Sequence, residues 1–373
     1  MYKAIIVGAG PAGLIAGKYL DNSIILDKKK EIGTPVQCGE GLSREALLMQ
    51  GITPDPAWIS TFVQNVEIIA PSGKKIILPG QDSGYVLDRV AFEKFLATQC
   101  KAEIKLESKV VDIKREDDCW AVYTQNGDVY KSEYVIGADG PLSIIRTKLF
   151  KGKIGILPTY EYSVELEKEV PTSMIRLYFD REQFSDGYAW IFPKSKHTAN
   201  IGLGGLKDLD KRFKYLMDNI IVPEFGNYKL LANKSGTITY GGMRIQLFKD
   251  NVFLVGDAGA LIDPILGGGI NNAMISGRLA AEAIINNSAD KFEKKLKSMS
   301  YFSEDLMYAQ KVLYSLPNDV LNDFAEISEN KSPLELKSFS GLIKFLSKPR
   351  LRKRFWPLFR LFSILQRSGT SFG

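Results

Sequence analysis

The stretch "YKAIIVGAGPAGLIAGKYLDNSIILD", Tyr2 to Asp27, decides the fold. Ile5 to Val7 is an unbroken apolar run of the kind a parallel strand buried on both faces requires. Gly8, Gly10 and Gly13 follow at once, and Pro11 falls where a first helical turn tolerates it. Ser23 to Asp27 reads as the returning strand. The order is strand, glycine turn, helix, strand, with Asp27 nineteen residues after Gly8. Glycines at this spacing let the backbone approach a pyrophosphate and let the helix pack on the strand. The helix N-terminus then faces the phosphates, and the acid takes a ribose hydroxyl. The stretch predicts a dinucleotide site, without separating NAD from FAD.

The chain has 373 residues, enough for one large or two modest domains. Cys38, Cys100 and Cys119 are odd in number and far apart, which argues against a disulfide framework and for a reducing compartment. His197 is the single histidine, which removes most zinc sites, Ser-His-Asp hydrolases and His-paired cysteine enzymes. No metal site is expected. Residues 3–7 run straight into the glycine motif, so no signal peptide is expected, and no 18-residue apolar run predicts a spanning helix. The net charge of +6 is uneven: residues 336–373 hold nine Lys or Arg and no acid, leaving 40 basic against 43 acidic groups elsewhere. That pattern argues against nucleic-acid binding and for one end meeting an anionic surface.

Residues 60–88 read as short strands, "DRVAFEKFLATQC" as a helix capped by Asp88, and 109–140 as a three-strand meander with a hairpin at Asn126-Gly127. Alternating apolar segments over 156–240 predict an antiparallel sheet. Strand, glycine loop and long helix return over 251–287, and 291–373 read as helices interrupted at Pro317, Pro333, Pro349 and Pro357. The expected fold class is α/β: a discontinuous Rossmann-like domain (1–155 and 241–290), an antiparallel domain over 156–240 that 60–88 joins, and a C-terminal helical region over 291–373 with a basic tail.

"YVIGADGPLSIIR", Tyr134 to Arg146, and "VFLVGDAGALIDPILGGGINNA", Val252 to Ala273, follow the first motif in order. Together the three resemble the FAD-dependent monooxygenase-like flavoprotein superfamily over roughly residues 1–290. The resemblance places Asp257 on the ribityl chain and the glycines at the last helix start beside the flavin ring. Free backbone amides there would face a ring edge that becomes anionic on reduction. "PVQCGEGLS", Pro35 to Ser43, and Tyr188-x-Trp190-x-Phe192-Pro193 followed by Gly202-x-Gly204 are similar to the geranylgeranyl reductase family, which includes archaeal enzymes that saturate isoprenoid chains of membrane ether lipids. The resemblance implies FAD contacts at Gly8, Gly10, Ala12, Gly13, Asp27, Cys38, Gly39, Gly41, Arg89, Val111, Asp257, Gly268, Gly269 and Ile270. Asp27 departs from the more usual Glu, which shortens the reach to the ribose and keeps the charge.

On a strand, Tyr188, Trp190 and Phe192 share one face, and Ala189 and Ile191 the other. Aromatic stripes are usually core. In a sheet expected to cover a flavin, these three are read as the wall of a lipid cavity. Cys38 is read as a small residue that fits, with no catalytic role. The tail interleaves Lys344, Lys348, Arg350, Arg352, Lys353, Arg354, Arg360 and Arg367 with Phe355, Trp356, Phe359 and Phe362. The alternatives are a solvated helix packed on the body and an interfacial segment on anionic lipid, and the second is favoured.

The resemblance implies an FAD-dependent reductase of geranylgeranyl chains in archaeal-type ether phospholipid precursors. Its partners would be a prenyl lipid substrate, an electron donor (ferredoxin or NAD(P)H) and a membrane surface, with the protein cytoplasmic and peripheral on the membrane. An isolated alkene accepts hydride poorly, so a proton must accompany or precede it. Water, a flavin position or a tyrosine are open as its source. The rivals are a flavin monooxygenase or quinone-linked dehydrogenase, and a non-catalytic prenyl-lipid carrier.

Overall fold

A computed structural model describes residues 1–328 and 339–367. Its architecture is α/β, with two eight-stranded sheets and a helical C-terminal region. In the first sheet the order runs Phe248–Lys249, Val252–Leu254, Val129–Gly137, Tyr2–Val7, Ser23–Leu26, Glu103–Lys105. All neighbours in this path pair in parallel except Phe248–Lys249 with Val252–Leu254. Val110–Glu116 and Cys119–Thr124 complete the predicted meander against Val129–Gly137. Ala4, Ile5, Ile6, Ile24 and Ile25 are fully buried, as a strand covered on both faces requires.

The helix Pro11–Tyr19 starts with Pro11 in its first turn and packs on Ile270–Ile285. Their approach is so close that a Cβ on Gly277 would sit 2.1 Å from the Ala12 carbonyl oxygen. A Cβ on Gly13 would sit 1.9 Å from the Gly8 oxygen, and Gly8 itself has φ +108°. Both glycines are therefore demanded by the turn. Asp88 caps the helix Arg89–Thr98 by accepting from the Ala91 N–H, as the sequence predicts.

The second sheet runs Tyr228–Tyr240, Gly155–Leu166, Thr198–Gly204, Ala189–Pro193, Met174–Tyr178, Ile59–Ile69, Lys75–Leu87, Gly41–Ser43. It differs from the expectation in two ways. Met174–Tyr178 pairs in parallel with Ile59–Ile69, so the sheet is not purely antiparallel. Residues 60–88 form two long strands rather than several short ones. "PGQDSG" lies inside the strand Lys75–Leu87, where the register jumps from Asn65 opposite Pro79 to Val63 opposite Gly84. One face of this sheet buries Val164, Ala189, Ile191 and Ile201 against helices within 209–225. The other carries Val66, Ile175, Leu177 and Trp190 toward the C-terminal helices.

Pro317 precedes the helix Asn318–Ser328, Pro349 opens Pro349–Lys353, and Pro357 lies in the first turn of Phe355–Arg367. Pro333 and residues 368–373 of the tail lie outside the described residues. The helix Phe355–Arg367 buries Leu358, Leu361 and Ile364 in the cluster that also holds Leu306 and Ala309. Arg360 pairs with Asp305 at 3.0 Å and lies over the Tyr308 ring. Lys348 and Arg350 pair with Glu326, Asp319 and Asp323. The tail thus packs its apolar side on the body, while Trp356 (74%) and Phe359 (56%) remain exposed. No helix among the described residues is long and apolar enough to cross a membrane.

Candidate active site

A single cavity joins the glycine turns of the first sheet to the inner face of the second. Gly10 and Ala12 line it from the first motif, and Cys38, Gly39 and Gly41 from the loop before the strand Gly41–Ser43. Arg89 enters from its helix, and Asp257, Gly268, Gly269 and Ile270 from the last glycine loop. Tyr188, Trp190 and Phe192 form the facing wall. Alternation on their strand turns Ala189 and Ile191 into the core on the opposite side, as predicted.

Four residues of the expected cofactor set are not among the lining. Gly8 and Gly13 shape the turn from behind, as their close backbone approaches show. Asp27 follows the strand Ser23–Leu26, and its Oδ2 accepts from the Ala9 N–H at 2.5 Å, so it stands against the glycine turn. Val111 is turned outward: a register shift between Val110 and Asp112 leaves Val110 and Ile113 buried and Val111 exposed.

The cavity suits a polar, extended cofactor on one side. A Cβ on Gly10 would meet nothing within 4 Å, although the glycines around it are tightly packed. Space beside a helix N-terminus is what a pyrophosphate needs. Arg89 Nε and Asn271 Oδ1 are buried without hydrogen-bond partners and both residues line the cavity. Burial pushes the Asp257 carboxyl up to about 6 against the opposing pull of Arg89 and Arg146. A polyol donating to that carboxylate would relieve its desolvation. The residues present fit a flavin dinucleotide.

The loop at Asp263–Gly268 is held from three sides. Gly267 N–H donates to the Asp263 carbonyl at 2.9 Å, and Ile265 N–H to the Asp263 carboxylate at 2.9 Å. The Tyr188 hydroxyl donates to the Leu266 carbonyl, and the Tyr314 hydroxyl to the Ile265 carbonyl at 2.8 Å. An aromatic of the facing wall and a helix of the C-terminal region therefore both position this loop. Tyr188 keeps its proton, since burial raises its pKa far above the ordinary value.

On the opposite side, Phe192 packs over Gly39 and Gly41, where a Cβ would lie 3.1 and 2.5 Å from the ring. Cys38 Sγ accepts from the Glu40 N–H at 3.2 Å, and burial raises its thiol pKa, consistent with a neutral thiol that fits the loop. Glu40 accepts from the Arg89 N–H, Lys194 and Asn200, which ties the loop to both sheet and helix. Two charged residues that sequence reasoning missed also line the cavity, Glu161 and Lys234. Glu161 sits in "TYEYSVELEKE" beside Glu165, Glu167 and Glu169, which are exposed. Nothing local separates the buried acid from the solvated ones. Among the described residues no cluster of His, Cys, Asp and Glu is arranged to hold a metal.

Residues 156–238 match the family described as "Geranylgeranyl reductase catalytic domain". The chain is 32% identical to a digeranylgeranylglycerophospholipid reductase of Methanococcus vannielii over 95% of this chain and 97% of that protein. The chain belongs to the digeranylgeranylglycerophospholipid reductase family. It is also 30% identical to the enzyme of that name in Methanocaldococcus jannaschii, over 95% of this chain and 97% of the other. A crystallised geranylgeranyl bacteriochlorophyll reductase-like protein of Thermoplasma acidophilum superposes with a TM-score of 0.82 at 27% identity. That match covers 96% of this chain and 99% of the other. For this reductase, the Tyr188-x-Trp190-x-Phe192 strand falls inside the matched catalytic segment, on the wall opposite the glycine turns.

Proposed function

We propose that the protein saturates isoprenoid double bonds of geranylgeranyl chains in an archaeal-type ether phospholipid precursor, with FAD as its redox cofactor. The observation that carries this reading is the shared cavity: glycine turns with room for a pyrophosphate on one side, and Tyr188, Trp190 and Phe192 on the other. Reduced flavin, when bound, supplies the hydride. In this reading Gly10, Ala12, Asp27 and Arg89 hold the dinucleotide, Asp257 its polyol, and Gly268, Gly269 and Ile270 the ring edge. Residues 1–155, apart from 60–88, and 241–290 form the cofactor-binding part, 60–88 and 156–240 the cover and 291–373 the helical region.

The chain's own residues position the alkene within this cavity. Ile175, Leu177, Tyr188 and Trp190 line an apolar slot for the alkene chain, and the Asp263–Gly268 loop is locked against Tyr188. The exposed Trp356 and Phe359, beside the exposed Arg352 and Lys353, suit an anionic bilayer from which such a lipid is drawn. The electron donor is ferredoxin or NAD(P)H.

An anaerobic incubation tests the reading. Yellow protein reduced by dithionite is given an unsaturated geranylgeranyl ether phospholipid, and the lipid is weighed by mass spectrometry. Stepwise gain of hydrogen pairs, absent without reductant, is expected. A flavin that reduces while neither the phospholipid nor a geranylgeranyl diphosphate ever gains mass would overturn it. Offering the reduced protein ferredoxin or NADPH in place of dithionite then identifies the donor.

A further inference from the structure

The cavity wall holds a charge cluster that positioning an alkene does not require. Glu161 on the strand Gly155–Leu166 is only 4% exposed, yet it lines the cavity. Strand pairing sets it directly across from Lys234 on one side and Gly202 on the other, with Trp190 next in the same row. Glu161 Oε1 accepts from Lys234 Nζ at 3.1 Å, and Oε2 accepts from the Trp190 indole N–H at 2.9 Å. An acid bonded to the indole of the aromatic wall stands where an isoprenoid chain would lie.

The other acids lining the cavity are committed elsewhere. Glu40 takes three donors, from Arg89, Lys194 and Asn200. The Asp263 carboxylate closes its own turn on Ile265. Asp257 sits on the glycine-loop side, in the field of Arg89 and Arg146. Glu161 alone joins the aromatic wall to an ammonium group. Burial raises its pKa to about 7 in spite of Lys234 and the indole donor, which both favour the carboxylate. The charged and titratable groups facing it are Lys234 from its neighbouring strand and Glu40 and Cys38 from the loop opposite. Lys194 pairs with Glu40, and Arg89 acts on Cys38.

We propose that Glu161 is the general acid of the reduction, delivering the proton to one alkene carbon while hydride reaches the other. The inference rests on the reductase reading. One C=C π bond breaks and two C–H bonds form. The hydride from the reduced flavin brings both electrons, and the Glu161 O–H bond breaks with its electron pair left on the carboxylate. Water returns a proton to that carboxylate, past Lys234, which is more exposed than Glu161 and stays a cation beside it.

The decisive experiment mixes dithionite-reduced holoenzyme with the unsaturated ether phospholipid in a stopped-flow cell and follows flavin oxidation in one turnover. Glu161→Gln is expected to slow it about 10²–10⁴-fold, the span a general acid contributes, with flavin content and reduction by dithionite unchanged. The wild-type rate falls as pH rises through about 7. Lys234→Met removes a cation that favours the carboxylate, so it moves that fall to higher pH. A readout without turnover is Trp190 fluorescence in flavin-free protein, titrating near pH 7 in wild type and flat in Glu161→Gln and Trp190→Phe. Wild-type oxidation rates in Glu161→Gln overturn the assignment, as does an unmoved pH limb in Lys234→Met. Should Glu161→Gln prove unstable, the Lys234→Met limb decides alone. A wild-type protein that never saturates the lipid refutes the reductase reading itself, a separate result.

Discussion

The indole of Trp190 lies against Gly202, so close that a Cβ on that glycine would sit 2.6 Å from the ring. The two residues are paired across adjacent strands, and Glu161 faces Gly202 from the other side. The missing side chain is what lets the indole reach across and donate to the Glu161 carboxylate. Gly202→Ala is therefore expected to push the indole aside and break that hydrogen bond, at a stability cost of about 1–3 kcal/mol for overpacking. Thermal unfolding reads the cost, and mass spectrometry of the products reads a changed distribution of saturated bonds. An unaltered product distribution in a folded Gly202→Ala protein would return Trp190 to an ordinary core role.

Two glycines of the first motif have different reasons to exist. A methyl group on Gly10 meets nothing in the protein, and its φ of −87° suits any residue. A methyl group on Gly13 meets the Gly8 carbonyl at 1.9 Å. Gly10→Ala is expected to leave the melting temperature of the flavin-free protein unchanged while weakening flavin retention on gel filtration. Gly13→Ala is expected to lower the melting temperature of the flavin-free protein itself. Equal flavin content in Gly10→Ala and wild type would show that the open space holds something else.

Three buried acids give stability a pH dependence. Burial holds Glu161 at about 7 and Asp257 and Asp263 at about 6, each above the ordinary carboxylate value. Between the ordinary and folded values the native state binds more protons than the unfolded one, so stability falls as pH rises. The flavin-free protein should melt lower at pH 8 than at pH 5, and Glu161→Gln should fall less steeply. A melting temperature that climbs over this interval contradicts the burial of these groups as ionisable acids.

The C-terminal helix separates surface from core within one turn. Trp356 and Phe359 are exposed, while Leu358 is buried against the body. Changing Trp356 and Phe359 together to Ser should leave unfolding within about 0.5 kcal/mol of wild type and reduce co-sedimentation with anionic vesicles. Leu358→Ala should cost about 2–5 kcal/mol with vesicle binding kept in whatever fraction stays folded. Undiminished sedimentation of the double variant would leave the paired Lys348, Arg350 and Arg360 as helix-docking residues only.

The sequence by itself determined the glycine turn, the returning strand, the meander and its hairpin, and the alternation of Tyr188, Trp190 and Phe192. Each of these is set by neighbours within a few residues: glycine conformations, a proline in a first turn, a period of two along a strand. Only the tertiary structure decided which members of those patterns meet. "PGQDSG" carries turn residues yet lies within a long strand, which pairs with Ile59–Ile69 at either end of it, Pro79 with Asn65 and Gly84 with Val63. Val111 and Glu161 both lie on strands, but a register shift turns Val111 to the exterior, while the packing of one sheet over the other places Glu161 at the cavity. Glu161 shares its strand face with Glu165, and that face is cavity at one position and solvent four residues later. Where a sheet face passes from covered to open depends on elements more than a hundred residues away, and no short-range pattern carries that information.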